Sequence, residues 1–211
     1  SLKDKIIHQI NLAPWKGNFE TEANVSISNA IYSDVAIEKL DVSFTSNDNK
    51  LLIKEFLAQG LAGADIRLIA DIDNVYTDPQ FNELSYTIKT NNFPMLTSSV
   101  GLNLGNKSLF KRKLFSTQGV LSGNISKFSL SSIQKFGDVE FSYTGDISLA
   151  KGEKEVYKGD IELKADNFTN FVHDIGFDYT PDIPATSFTI SGAIKGNGSV
   201  FDVSNFNAYL G

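Results

Sequence analysis

An internal repeat with an offset of 75 residues constrains this chain more than any other feature of its sequence. Residues 88–101 recur as residues 163–176. Each copy joins an alternating strand that ends in Lys to an Asx-type helix start, a Phe on the first helical turn, a short apolar helix and a stopping Gly. Units of this kind usually build an extended surface, so the repeat argues against a single catalytic pocket.

Apolar and polar residues alternate with a period of two through most of the chain, as in Leu40/Val42/Phe44. This period is typical of strands in an antiparallel sheet with one apolar face. The same reading places Val120 and Ile125 in one strand and separates two strands at Gly145. We therefore predict a mainly β fold: a curled antiparallel sheet built from repeats, groove-like or sandwich-like, with two short amphipathic helices. A meander is the simplest topology.

The repeats and the charge pattern suggest four segments. Residues 1–23 are a lead-in, and 24–103 form a first β module with a helix near 93–100. Residues 104–117 are a basic linker, and 118–211 form a second β module with a helix near 167–175. The Lys and Arg cluster at 107–113 is interpreted as a solvated linker, the alternative being a patch that contacts anionic headgroups or a partner. Since the chain begins without Met or a leader, we expect targeting or membrane signals outside this segment.

Composition argues against several classes of function. A net charge of -6 and a pI near 4.9 oppose nucleic-acid binding, which needs clustered cations. With no Cys and only two His, a zinc site is not expected. Asp71, Asp73 and Asp78 are spaced loosely like calcium ligands but lack the Gly and closing Glu of an EF-hand. No nucleophile elbow or nucleotide motif is present. The sequence therefore predicts no enzyme, no cofactor, no metal site and no catalytic residue.

Several phrases resemble the AsmA-like family of bacterial envelope proteins, which includes long bridge proteins related to TamB. The phrases cover most of residues 24–211 and are IEKLDVSF at 37–44, LLIKEFLA at 51–58, GVLSG at 119–123, KADNF at 164–168 and NFNAYLG at 205–211. Two departures stand out: the usual paired glycine after the hairpin is Ala62-Gly63 here, and the membrane helix expected at the amino terminus of such proteins is absent.

The resemblance implies a non-catalytic segment in the periplasm, belonging to a bacterial protein anchored in the inner membrane outside this segment. In such proteins a curled sheet is thought to carry phospholipid acyl chains along an apolar groove, for transport to the outer membrane or its homeostasis. Phospholipid is then the expected partner, with other envelope proteins besides. The alternative is a structural or interaction module that assists outer-membrane protein assembly by sheet-edge pairing.

The period-two pattern also selects candidate lipid-binding residues, all large and apolar or aromatic at alternating positions. They are Ile27, Val42, Phe44, Ile53, Leu68, Tyr86, Phe141, Tyr143, Ile161, Leu163, Phe188, Ile190 and Phe201. Many apolar-alternating strands with only two short helices to cover them would leave an apolar trough. The alternative for each residue is the core of an ordinary sandwich. An open apolar channel would favour lipid binding, and a closed core with a free polar edge would favour sheet-edge pairing.

Overall fold

The described residues form one open antiparallel sheet of eleven strands in the order of the chain. The computed structural model describes residues 20–32, 35–99, 114–149, 156–174, 186–197 and 200–211. The strands are β1 (Thr21–Tyr32), β2 (Val35–Asn47), β3 (Lys50–Leu61), β4 (Ala64–Asp73), β5 (Gln80–Thr90), β6 (Phe115–Asn124), β7 (Lys127–Phe136), β8 (Val139–Ser148), β9 (Val156–Ala165), β10 (Phe188–Asn197) and β11 (Val200–Leu210). The mainly β, antiparallel meander is confirmed.

Two short helices follow β5 and β9, as the sequence predicted. They are α1 (Phe93–Ser99) and α2 (Phe168–Asp174). Asn92 caps α1 by accepting a hydrogen bond at Oδ1 from the Met95 amide (3.2 Å). Asn167 caps α2 through the Asn170 amide (3.0 Å). Each helix thus begins at the Asn of the repeated motif because its side chain satisfies a free amide of the first turn.

The 75-residue offset extends from the helices into the sheet. It relates α1 to α2 and also β4 to β8, end to end. One repeat is therefore four strands and a helix: β2 to β5 with α1, then β6 to β9 with α2. β6 begins at Phe115, inside the segment predicted as a linker, and pairs directly with β5, so the sheet is continuous from one repeat to the next. The predicted module boundaries themselves stay a prediction.

Two strand predictions were wrong. Ile125 lies in the turn between β6 and β7, outside the strand that contains Val120, and β7 itself was not predicted. Gly145 lies inside β8, where it pairs with Leu130 on one side and Gly159 on the other. A Gly in a strand interior often marks a close backbone approach instead of a break, and that is its role here.

The core of this sheet is thin. Its buried apolar residues are largely Ala, joined by a few larger side chains such as Phe115, Val139 and Phe188. Among the described residues no large side chain is fully buried. Since the described residues contain one sheet, no second sheet among them covers its apolar side.

Candidate ligand-binding face

The strand register sorts the sheet into two faces, because residues paired across neighbouring strands point to the same side. On one side the pairs are mostly apolar, and we call it the apolar face; the opposite side is the polar face. Paired residues also form rows that cross the sheet at right angles to the strands. We count these rows from the end that carries the helices, the helix end.

The second and third rows show the composition of the apolar face. From β1 to β11 the second row is Ile27, Leu40, Ala58, Ile66, Ile88, Thr117, Gln134, Phe141, Leu163, Ile190 and Ala208. From β1 to β10 the third row is Val25, Val42, Phe56, Leu68, Tyr86, Gly119, Ser132, Tyr143, Ile161 and Gly192. Ten interstrand spacings of about 4.8 Å make such a row about 48 Å long.

Every predicted lipid-binding residue lies on the apolar face. Besides those in the second and third rows, Phe44 and Ile53 pair in the fourth row, Phe188 lies in the first row, and Phe201 lies in the fifth. Only Tyr143 and Phe188 among the predicted residues are buried. Ile27 and Phe201, on the two edge strands, are exposed, and the remainder are half-buried. Most of the predicted residues therefore keep part of their side chain accessible on this face.

The helices cover only the helix end of this face. The ring of Phe93 on α1 packs on Phe115 and Phe136, with centroid distances of 4.3 and 5.2 Å. On α2, Phe168 and Phe171 pack on Phe188 at 5.2 and 4.9 Å. These aromatic clusters lie over the first row, and Leu163 and Ile190 of the second row join the cluster at α2.

Sequence reasoning missed part of the face because a bulge in β3 changes its phase. Phe44 pairs with Ile53, whereas Ser43 pairs with Glu55, so Lys54 is an extra residue. The bulge turns Phe56 onto the apolar face, although the alternation Leu51/Ile53 continued from the sequence would place it on the polar face. No residue pattern in β3 signals the bulge.

Tyr143 presents its ring, and not its hydroxyl, to the apolar face. The hydroxyl donates to the backbone carbonyl of Asp146 (3.1 Å), with Lys158 O at 3.4 Å. Burial, and then the negative charge of Asp146, raises the pKa of Tyr143. The phenol therefore stays neutral at physiological pH and adds apolar surface to the third row.

The polar face carries charged residues, several of which form ion pairs across strands. Lys135 lies 2.7 Å from Glu140, and Lys54 lies 2.7 Å from Glu22. A cavity of about 600 Å³ opens on this face at the helix end, and its charged lining consists of two acids and two bases: Glu38, Asp65, Lys89 and Lys135. The lining also includes Thr90 and Phe115 of the first row, so the cavity reaches the helix end of the apolar face.

Among the three acids with calcium-like spacing, Asp73 is held by an ion pair with Lys50 (2.9 Å). In the described part of the chain no group of three His, Cys, Asp or Glu residues is arranged to bind a metal. The described helices are all too short or too polar to span a bilayer. Comparisons with family models, characterised proteins and solved structures found no match.

Proposed function

We propose that this segment holds or conducts phospholipid by its acyl chains along the apolar face, without catalysis, in a bacterial envelope protein that supports the outer membrane. The observation that carries the proposal is a set of rows about 48 Å long whose side chains are mostly apolar and mostly half-buried. Covering such surface with acyl chains is favourable by about 25 cal/mol per Å².

Three further features support lipid over a protein partner on this face. The face has no covering sheet among the described residues, and the helices shield only one of its ends. Its rows run across the strands, so a flexible chain can lie along them without needing backbone pairing. The resemblance of the strand phrases to AsmA-like proteins suggests the same cargo and the periplasmic location.

The test is native mass spectrometry of the purified segment after incubation with phospholipid vesicles. Leu68→Asp, on the apolar face of β4, should abolish the phospholipid adduct. Its neighbour Ile69, 55% exposed on the polar face, gives the matched control Ile69→Asp, which should keep the adduct. Both variants are first checked for folding by circular dichroism. Absence of lipid from the folded wild-type protein, or equal loss in both variants, would refute the proposal.

A second candidate function is sheet-edge pairing with a client strand, and one observation favours it. β11 is exposed along its whole length, and among the described residues it pairs only with β10. A long exposed edge strand is a template for another strand. The edge carries apolar side chains such as Phe206 (62% exposed), so it differs from the closed core with a polar edge that this function predicts. Binding of a peptide with the β8 sequence to lipid-free protein would support it.

A further inference from the structure

The apolar face has one polar interruption in its second and third rows, and it lies at the middle of the sheet. Strands β6 and β7 place Thr117 and Gln134 in the second row and Gly119 and Ser132 in the third. All other positions of these rows are apolar, Tyr or Gly. The Tyr86 hydroxyl reaches the same place, since a Cβ on Gly119 would lie 2.8 Å from it. We call Tyr86, Thr117, Ser132 and Gln134 the central polar patch.

One atom of this patch lacks the partner it needs. Gln134 Nε2 donates to Ser132 Oγ (2.8 Å), and Ser132 is only 3% exposed. Gln134 Oε1 is buried and has no hydrogen-bond partner in the described structure. A buried acceptor without a partner costs stability. Because Oε1 is shielded from solvent, a donor group that enters along the face pairs with it only after the side chains around it move.

The surroundings restrict what that donor can be. Neither row contains a charged side chain, so the patch has no cation for a phosphate and no counterion for an amine. A neutral hydroxyl costs far less to bring onto an apolar surface than a charged group does. Apolar positions continue on both sides of the patch in each row, so they can contact the methylenes that flank such a hydroxyl.

From this we infer that the central polar patch binds a hydroxyl group on an acyl chain and makes the face prefer hydroxylated chains. This inference rests on the proposed function, because it requires acyl chains to lie along the rows. Gln134 Oε1 accepts the hydrogen bond, and Ser132 holds the Gln134 amide in place. An acyl chain without a hydroxyl leaves the acceptor unpaired, so the two kinds of chain differ in binding by one buried hydrogen bond.

The experiment compares two ligands that differ by one hydroxyl in the middle of the chain, octadecanoic acid and 12-hydroxyoctadecanoic acid, by displacement of a fluorescent fatty acid. The wild-type protein should bind the hydroxy acid about 3- to 10-fold more tightly, the range that one net hydrogen bond provides. Gln134→Met, similar in volume, should remove this preference by weakening the binding of the hydroxy acid relative to that of the acid without a hydroxyl. Leu130→Met, on the same strand and face, is the matched control and should keep the preference.

The outcomes separate this inference from the proposed function. Equal affinities in the wild-type protein, as when Oε1 holds only a water molecule, overturn the inference and leave acyl-chain binding intact. A preference that survives in Gln134→Met overturns it as well. Binding of neither acid refutes both.

Stability without ligand gives a second readout. Gln134→Met should be at least as stable as Leu130→Met, because it removes an unpaired acceptor, and a large loss of stability would show that the acceptor already has a partner. If Gln134→Met does not fold, Ser132→Ala replaces it and should reduce the preference.

Discussion

Gly145 and Gly159 face each other across β8 and β9 so closely that a Cβ added to Gly159 would lie 2.7 Å from the Cα of Gly145. The Tyr143 hydroxyl lies over the same gap, 2.8 Å from where a Cβ of Gly145 would be. The glycine pair thus makes room for the Tyr143 side chain that crosses it. The fit leaves no space for even a methyl group.

Gly159→Ala should therefore destabilise the protein by about 1–3 kcal/mol, the usual cost of overpacking. The measurement is the free energy of unfolding in urea. Gly192→Ala is the matched control on the same face of β10. Its Cβ would lie 3.1 Å from the nearest atom, the backbone oxygen of Ser204 on the edge strand β11. Equal costs for the two variants would contradict the close fit between β8 and β9.

Alternation predicted strands such as β4, whose apolar face carries Ile66, Leu68 and Ala70. β7 was missed because its two central positions on that face are Ser132 and Gln134, which break the alternation. A local rule broken in this way is expected where a site departs from simple packing. The period-two alternation is therefore interrupted at the central polar patch, where the apolar face carries polar side chains.

The faces of the predicted residues could be read from the sequence because a period of two is enough to assign them. The register could not, since it depends on bulges such as the one at Lys54, which no local pattern marks. The helices were predictable from their caps and from Phe93 and Phe168. Their packing on Phe115 and Phe188 required the sheet order, which places the first residue of the next strand beside each helix.

The aromatic cluster under α2 gives a second prediction. Phe188 is 4% exposed and contacts both Phe168 and Phe171, so Phe188→Ala should cost about 3–5 kcal/mol through lost burial and a cavity. Phe201→Ala, at a side chain that is 58% exposed on the same face, should cost less than about 1 kcal/mol. Urea unfolding of both variants tests this, and similar losses would mean that α2 is not packed on the sheet.

The turn between β7 and β8 gives a third prediction. Gly137 has a φ of 64° in the two-residue connection between Phe136 and Val139. A side chain with a Cβ is strained at this angle, so Gly137→Ala should destabilise the protein by about 1 kcal/mol. Gly137→Asn should cost less, because Asn tolerates the left-handed conformation. Thermal unfolding measures the loss of stability in each variant. Equal losses would contradict the left-handed backbone conformation at Gly137.

The pair formed by Asp73 and Lys50 predicts how stability depends on acid. The Lys50 ammonium, and then the Asn82 amide, lowers the pKa of Asp73 below its ordinary value of 3.8. A carboxyl whose pKa is lowered by folding stabilises the protein above its unfolded pKa, and this contribution is lost as pH falls through the folded pKa. Asp73→Asn should therefore be less stable than the wild type above pH 3.8, and the gap should close as pH falls further. Lys50→Met removes the same ion pair from the other side and should give the same trend. The free energy of unfolding is measured for each variant and the wild type between pH 6 and 2. A difference in stability that does not depend on pH would show that Asp73 acts without its charge.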